Sequence, residues 1–513
     1  MFYLRLIRFM TILLVLMAAA GVGLAVPPDY LGGVYNEYEY EEWVFISGEP
    51  IKFIGTVTVT EPERGTRTSL TNTYRFTLRP ADNLIQGKLD RTMSYITTFT
   101  DRPDKGQTLG QTKVSNYRET IELKGDKYVL ADFFFSKSDV IDNRPASTYY
   151  LGNITGKKIY NINNNQGRVT IDISGGNVGY ENFWGKTETQ IIDYVINSQR
   201  QVLVKGEEDE EDTMKDAAWG GSYRVQASDS THKNLIYTES APNLISFDGG
   251  HIRITNREMV SMYEYNMPRM DNGIPHASGR DRGVLQLSKK FVPKLESLIV
   301  PKFRDVGGHW SEDNIRRMYS LDVFDNVDQY FLPDVPMTRV EFTKGIIRAC
   351  SIKVQPNAMV EERPTRRTRY AEPEDDLSPF KDVSSTDPDF NYVMAALERG
   401  IIKGVSNIEF GPNNPLTRAQ AVTILVRALG FESKAPKPGF RTQFNDDARI
   451  PNWARDSVYV AREIGLVHGD AANNFNPNQV MTRAEAAAML TRFLEFLEKD
   501  LQRDYRENII LFN

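Results

Sequence analysis

Three arginines recur at one register of the chain: Arg339 in "DVPMTRVEF", Arg418 in "NNPLTRAQA" and Arg483 in "PNQVMTRAEA". Each follows a threonine (Thr338, Thr417, Thr482) and precedes Glu341, Gln420 or Glu485 by two residues. Thr with Glu or Gln three positions on is a capping box, which satisfies backbone N–H groups that a helix start leaves free. Capping accounts for the threonine and the Glu/Gln, and leaves the arginine unexplained. A cation in the first helical turn meets the positive end of the macrodipole, at a cost of a few tenths to about 1 kcal/mol. Its repetition asks for a compensating negative charge, and two sources are open. One is a carboxylate of the same or a neighbouring unit, such as the repeated Asp305, Asp382 or Asp446; the other is an anionic ligand that uses the guanidinium together with free helix N–H groups. Arginine forks onto a carboxylate as lysine does not, which favours a carboxylate in either case.

The elements that position these arginines repeat with them. Phe303-Arg-Asp, Phe380-Lys-Asp and Phe444-Asn-Asp open three units, 36, 38 and 39 residues before the arginine of each. Phe331, Phe410 and Phe475 each start a Phe-x-Pro triplet eight residues before it. A period of this length implies stacked supersecondary units with shared cores. Each unit reads helix, Gly/Asn/Pro-rich loop, helix. The first helix carries Ile315/Met318, Val393/Leu397 or Val458/Ala461, and in the second unit Val422, Leu425, Val426 and Leu429 form one apolar stripe of the second helix. Units two and three are separated by a short Pro/Lys connection. A polar insertion, residues 355–379, with basic then acidic residues, separates units one and two and is expected to be a mobile loop.

Taken together, Phe-x-Asp-Val, then His309-Trp310 or Trp453, then Gly400-Ile-Ile-Lys-Gly404 or Gly465-Leu-Val-His-Gly469, then Phe-x-Pro-Asn-Asn-Pro and Thr-Arg-Ala-Glu/Gln resembles the S-layer homology (SLH) domain. The resemblance covers residues 301–497 in three copies: 301–354, 380–432 and 444–497. It implies an all-α pseudo-threefold bundle whose grooves bind pyruvylated, anionic secondary cell-wall polysaccharide and so anchor an exported protein non-covalently at the cell wall and surface layer. The pyruvate ketal is a carboxylate, the charge that the arginines call for. Carried over residue by residue, the resemblance implies polysaccharide-binding roles for Arg339, Arg418 and Arg483, and for Trp310 and Trp453 as aromatic platforms, with a core position as the other reading of the tryptophans. Copy two departs: Phe390 or Tyr392 is its nearest aromatic, and Gln420 replaces the usual Glu. Copy one lacks both loop glycines and adds Asp322, Asp325 and Asp328, so the working grooves are expected to be lined by copies two and three. Other surface-layer proteins are further candidate partners.

Ahead of the repeats the pattern is antiparallel β. Val57 and Val59, Phe76 and Leu78, and Val169, Ile171 and Ile173 alternate with polar residues, and turns are expected at Gly125-Asp126 and Asp248-Gly249-Gly250. The chain is therefore multidomain: a β-rich region 26–205, a second β-rich part and connector 206–300 beyond the acidic "GEEDEED" (206–212), the three repeats, and a tail 498–513. Arg5 and Arg8 precede an apolar run ending in Gly23-Leu24-Ala25, which reads as a signal peptide, residues 1–25, and leaves no membrane segment after cleavage.

A net charge of −6 over 513 residues, with no basic stripe, gives no footing for nucleic acid. Cys350 is the one cysteine, which excludes an intramolecular disulfide and a Cys-rich metal site. His232, His251 and His276 form no metal-spaced pair, and no nucleophile or phosphate-loop motif precedes the repeats. No catalytic residue, metal or cofactor is assigned. The leading expectation is a wall-anchored β-rich structural or interaction module; the alternative is a wall-anchored polysaccharide-acting enzyme or carbohydrate-binding protein with its active region in residues 26–300.

Overall fold

In the computed structural model the described residues are 32–60, 69–164, 166–204, 213–238, 250–271, 274–298, 303–325, 329–352, 354 and 378–500. The expected signal peptide, residues 355–377 of the polar insertion, the acidic run, Asp328, Asp248-Gly249 and the last residues of the tail lie outside them.

Alternating apolar and polar residues build one large antiparallel sheet. Its strands are β1 (Val34–Tyr35), β2 (Tyr40–Val44), β3 (Ile51–Thr60), β4 (Ser69–Pro80), β5 (Gly87–Arg102), β6 (Gln107–Leu123) and β7 (Asp126–Asn143). They continue as β8 (Ser147–Ile162), β9 (Gly167–Asn182), β10 (Gly185–Val204), β11 (Thr213–Thr238), β12 (Gly250–Asp271), β13 (Ile274–Lys290) and β14 (Lys294–Leu298). Through β13 each strand pairs with the next in sequence, and β14 returns to pair with β12. The hairpin joining β6 to β7 turns on Lys124 and Gly125, both left-handed (φ 52° and 88°), one residue earlier than expected. Lysine there accepts the conformation that the two-residue turn demands.

The sheet curls until its ends meet. Asn36 donates to the Lys290 carbonyl at 3.3 Å, and the Lys289 ammonium bonds Glu39 at 2.6 Å. Side chains from the concave face make one core, in which Phe53, Tyr95, Tyr160, Val169, Ile196 and Met267 are buried. The division expected at the acidic run is absent: β10 and β11 pair continuously from Gly185↔His232 to Val204↔Thr213, so the run joins two strands of one sheet. The part expected to hold a connector is strand as well: residues 257–271 belong to β12 and 274–298 supply β13 and β14, where partial burial of polar residues blurs the alternation that would have marked them.

The C-terminal part carries six helices among the described residues: α1 (Glu312–Ser320), α2 (Arg339–Ala349), α3 (Phe390–Glu398), α4 (Arg418–Leu429), α5 (Asn452–Glu463) and α6 (Arg483–Glu495). First helices bury one stripe, such as Ala454, Val458 and Ala461 of α5. Second helices are central and nearly buried all round, α4 including Ala419, Ala421, Val422, Ile424, Leu425 and Val426. At the helix starts the Met337 amide donates to Met481, Leu416 to Met337 and Met481 to Leu416, each at 2.9 Å. This cyclic ring is extended backbone with three isolated β-bridges, so the region is helical without being all-α.

Sheet and helices share a core. Ala146, Tyr180 and Trp184 pack into the helical cluster, and the Ala146 amide donates to the Ala428 carbonyl at 2.8 Å. Arg144 donates to the Gly430 carbonyl at 3.0 Å and Asn182 to the Leu497 carbonyl at 3.2 Å. These contacts fall at the C-terminal ends of second helices. The arginines stand at the opposite ends, about 18 Å away for a twelve-residue helix such as α4.

Candidate functional site

Thr338, Thr417 and Thr482 are N-caps in extended conformation, and all three capping boxes are complete. The next two amides are also occupied, each by a loop carbonyl of the following unit. Arg339 and Val340 donate to Asn414 and Pro412, Arg418 and Ala419 to Gln479 and Pro477, and Arg483 and Ala484 to Val335 and Pro333. A ligand at these helix starts therefore finds guanidinium groups and no free backbone amide.

The repeated aspartates do not pair with the arginines. Asp305 accepts the amides of Phe331 and Leu332 at 2.9 and 2.7 Å. Asp382 accepts those of Phe410 and Gly411 at 2.8 and 2.6 Å, and Asp446 those of Phe475 and Asn476 at 2.7 and 2.8 Å. Each carboxylate pins the Phe-x-Pro loop of its own unit. The phenylalanine so fixed becomes a seat for the preceding unit's arginine: Arg339 lies over Phe410 (5.0 Å to the ring centroid), Arg418 over Phe475 (5.4 Å) and Arg483 over Phe331 (4.6 Å). Such cation–π contacts contribute about 0.5–2 kcal/mol and offset part of the dipole penalty.

The three sites differ in their charge. Arg483 Nη1 is paired with Glu341 Oε1 at 2.7 Å. Arg418 donates to the His468 carbonyl at 2.9 Å, and Arg339 to the Lys403 carbonyl; neither has an ion pair among the described residues. Burial, helped by the field of Arg427, pushes the Arg339 guanidinium down to about 10, and burial also lowers Arg418 despite the nearby Glu485 carboxylate. All three Nε atoms are buried without an acceptor.

Trp310 and Trp453 are exposed, at 65% and 53%, which removes the core reading for both. Trp310 adjoins Ser311, whose hydroxyl donates to the Ala484 carbonyl beside Arg483 at 3.1 Å, so it borders the groove between units three and one. Trp453 is the second residue of α5, the first helix of the third unit, which packs on α4. In unit two, Phe390 is buried and Tyr392 lies under Arg348, so neither replaces the tryptophan as an open platform. Two of copy one's extra acids, Asp322 and Asp325, lie among the described residues. Asp322 takes the left-handed position (φ 62°) that Gly400 and Gly465 take elsewhere. Asp325 pairs with Lys344 and Arg348, and although burial pushes its carboxyl up, these cations hold it below the usual carboxylate range.

The β sheet holds a buried ionic network that alternation alone does not reveal, because charged residues occupy core-parity positions. Arg91 bonds Glu42 at 2.9 Å and Glu119 at 2.7 Å; Lys158 and Tyr160 reach Glu119 at 2.9 and 3.0 Å. Burial would raise the Glu119 carboxyl, but Arg91 and Lys158 hold it down at about 2. Beside it is a cavity of about 60 Å³, also lined by Tyr194, Tyr223 and Tyr263. That is well under the roughly 150 Å³ that admits benzene and suits a few waters.

Cys350 is buried, and burial pushes its thiol up to about 12, which keeps it unreactive. The described residues hold no cluster of metal-ligating side chains and no helix long and apolar enough to cross a membrane.

Comparison with known proteins finds the three repeats. The family model described as the S-layer homology domain matches residues 302–343, 379–422 and 443–487. Exoglucanase XynX of Acetivibrio thermocellus is 30% identical over 195 residues, 38% of this chain and 16% of that protein. An endoglucanase of Bacillus sp. (strain KSM-635) is 35% identical over 25% of the chain and 14% of its own length, and the surface-layer 125 kDa protein of Lysinibacillus sphaericus 36% over 23% and 10%. The chain thus spans less than a fifth of these relatives, and the enzymes match it over the repeat region only. Three stretches of the chain between residues 302 and 487 thus match the S-layer homology domain.

Proposed function

We propose that the three domains hold this protein at the cell surface by gripping an anionic, pyruvylated secondary cell-wall polysaccharide in the grooves between units, and that the β sheet is what they display. The observation that carries this reading is Arg418: a half-buried guanidinium with no ion pair among the described residues, seated on Phe475, with the exposed Trp453 on the first helix of the unit it faces. A carboxylate supplies the missing charge, and an aromatic face suits a sugar ring. The matching proteins named for surface layers are consistent with the location. The sheet docks at the helix ends remote from the arginines, so a polymer in the grooves leaves it unobstructed. Export through the Arg5/Arg8-led apolar segment, cut after about Ala25, completes this reading.

The displayed sheet is proposed to be structural or interacting rather than catalytic. The buried charges around Glu119 are paired with one another, and the cavity beside them is too small for a pyranose. Turnover of wall or plant polysaccharide by the protein would reverse that assignment in favour of the enzymatic alternative.

Co-sedimentation with cell-wall sacculi tests the anchor. The protein should pellet with sacculi that keep their secondary polymer and stay in solution when the polymer or its pyruvate is removed. Equal binding to stripped walls would sink the reading.

A further inference from the structure

Arg483 meets Glu341, the capping-box residue of the next unit, and the cyclic register of the units makes Glu485 the counterpart for Arg418 and Gln420 the counterpart for Arg339, three residues that differ. In the groove between units three and one, Glu341 gives Oε2 to the Thr338 amide (2.9 Å) and Oε1 to Arg483 (2.7 Å), so the arginine is neutralised from within. Between units two and three, Glu485 gives Oε2 to Thr482 (2.9 Å) while Oε1 accepts from Gln479 (3.0 Å), so its charge is near Arg418 but turned to another donor. Between units one and two the residue is Gln420. Its Oε1 accepts the Thr417 amide at 3.0 Å, as Glu341 Oε2 accepts the Thr338 amide at 2.9 Å, so by the repeat register its amide nitrogen is the counterpart of Glu341 Oε1. Arg339, 6% exposed, has no carboxylate partner among the described residues, and its Nε lacks an acceptor. Beyond the bond from Arg339 to the Lys403 carbonyl, the guanidinium and the amide that stands at the register of Glu341's carboxylate bring only donors, an arrangement that an anion completes.

We propose that Gln420 sets the specificity of the groove between units one and two, forming with Arg339 a carboxylate receptor, while the groove between units three and one is shut by Glu341. The proposal rests on the anchoring reading for the source of the carboxylate, the pyruvate ketal of the wall polymer. It moves the centre of binding toward a groove in which copy one takes part, because the Glu-to-Gln change in copy two acts on the arginine of copy one.

The test is Gln420→Glu in the full chain. Glutamate keeps the capping box, as it does in the other two units, and an unchanged melting temperature checks the fold. Affinity for sacculi bearing the pyruvylated polymer should fall about tenfold or more, since the introduced carboxylate would pair with Arg339 as Glu341 pairs with Arg483. Unaltered affinity in that variant overturns the proposal and leaves the anchoring reading standing. If the unaltered protein ignores the polymer, the anchoring reading fails, and sodium pyruvate titrated into 15N-labelled protein decides the proposal. A shift of the Gln420 side-chain amide, absent in Arg339→Lys, supports the receptor; no shift overturns it.

Discussion

Arg483 of the third unit and Glu341 of the first, 142 residues apart, meet in an ion pair of 2.7 Å that closes the ring of units. The same carboxylate also caps α2 through Oε2. One side chain therefore serves helix architecture, ring closure and neutralisation of an arginine that the dipole disfavours. The pair is partly exposed, at 12% and 32%.

Glu341→Gln separates these roles. Glutamine keeps the cap, as Gln420 does in α4, and removes the charge. Partial exposure limits the loss of stability to about 1 kcal/mol or less, and freeing Arg483 should increase binding of the wall polymer. Urea denaturation and co-sedimentation on the same samples check both. A large stability loss without a gain in binding would mean that the pair is purely structural.

Gly430 joins the two parts of the chain. It ends α4 in the left-handed conformation (φ 69°), and a Cβ built there falls 2.6 Å from Arg144 Cδ. Gly430→Ala should cost about 1 kcal/mol from backbone strain alone and should disturb the Arg144 hydrogen bond that docks the sheet. A lower melting temperature with faster proteolysis at the junction is expected. Melting and cleavage like those of the unaltered protein would show that the docking tolerates the side chain.

The buried network of the sheet should be sensitive to loss of one partner. Glu119 is fully buried and receives Arg91, Lys158 and Tyr160. Glu119→Gln leaves Lys158 buried without its carboxylate, a change of about 3–5 kcal/mol. The urea midpoint measures it. A shift within experimental error would mean that water already reaches the network.

How much of the fold and the site is legible in the sequence depends on which contacts are local. Capping boxes, the apolar stripe of α4 and the antiparallel hairpins follow from spacings of a few residues, and the sequence displays them. The roles of Asp305, Asp382 and Asp446 are not legible, because a carboxylate 26 to 30 residues from the amides it binds looks the same as one available to an arginine. Gln420 is visible as a departure, yet its consequence falls on Arg339 in another unit, and only the cyclic packing reveals that. Arg91, Glu119 and Lys158 escape a sequence reading for a related reason. Alternation treats charge as a mark of the solvent face, whereas here mutual pairing carries it inside.

Glu188 supplies a pH dependence of defined sign. It is fully buried in the sheet, accepts from Gln190 at 2.8 Å and lies 3.6 Å from Lys137, with Asp139 near the same ammonium. Burial pushes its carboxyl up to about 7; Lys137 and the Gln190 hydrogen bond pull it down, and Asp139 adds to the rise. Unfolded, the group titrates near its ordinary value of about 4.3. The folded state therefore keeps a proton that the unfolded state releases, so the contribution is complete below about pH 4 and is lost as the pH rises to about 7. Its size is a few kcal/mol at most. Glu188→Gln removes the titration, so the fall in urea midpoint between pH 5 and pH 8 should be smaller in the variant than in the unaltered protein. Equal falls in the two proteins would place the proton elsewhere and show that Glu188 stays ionised in its pair with Lys137.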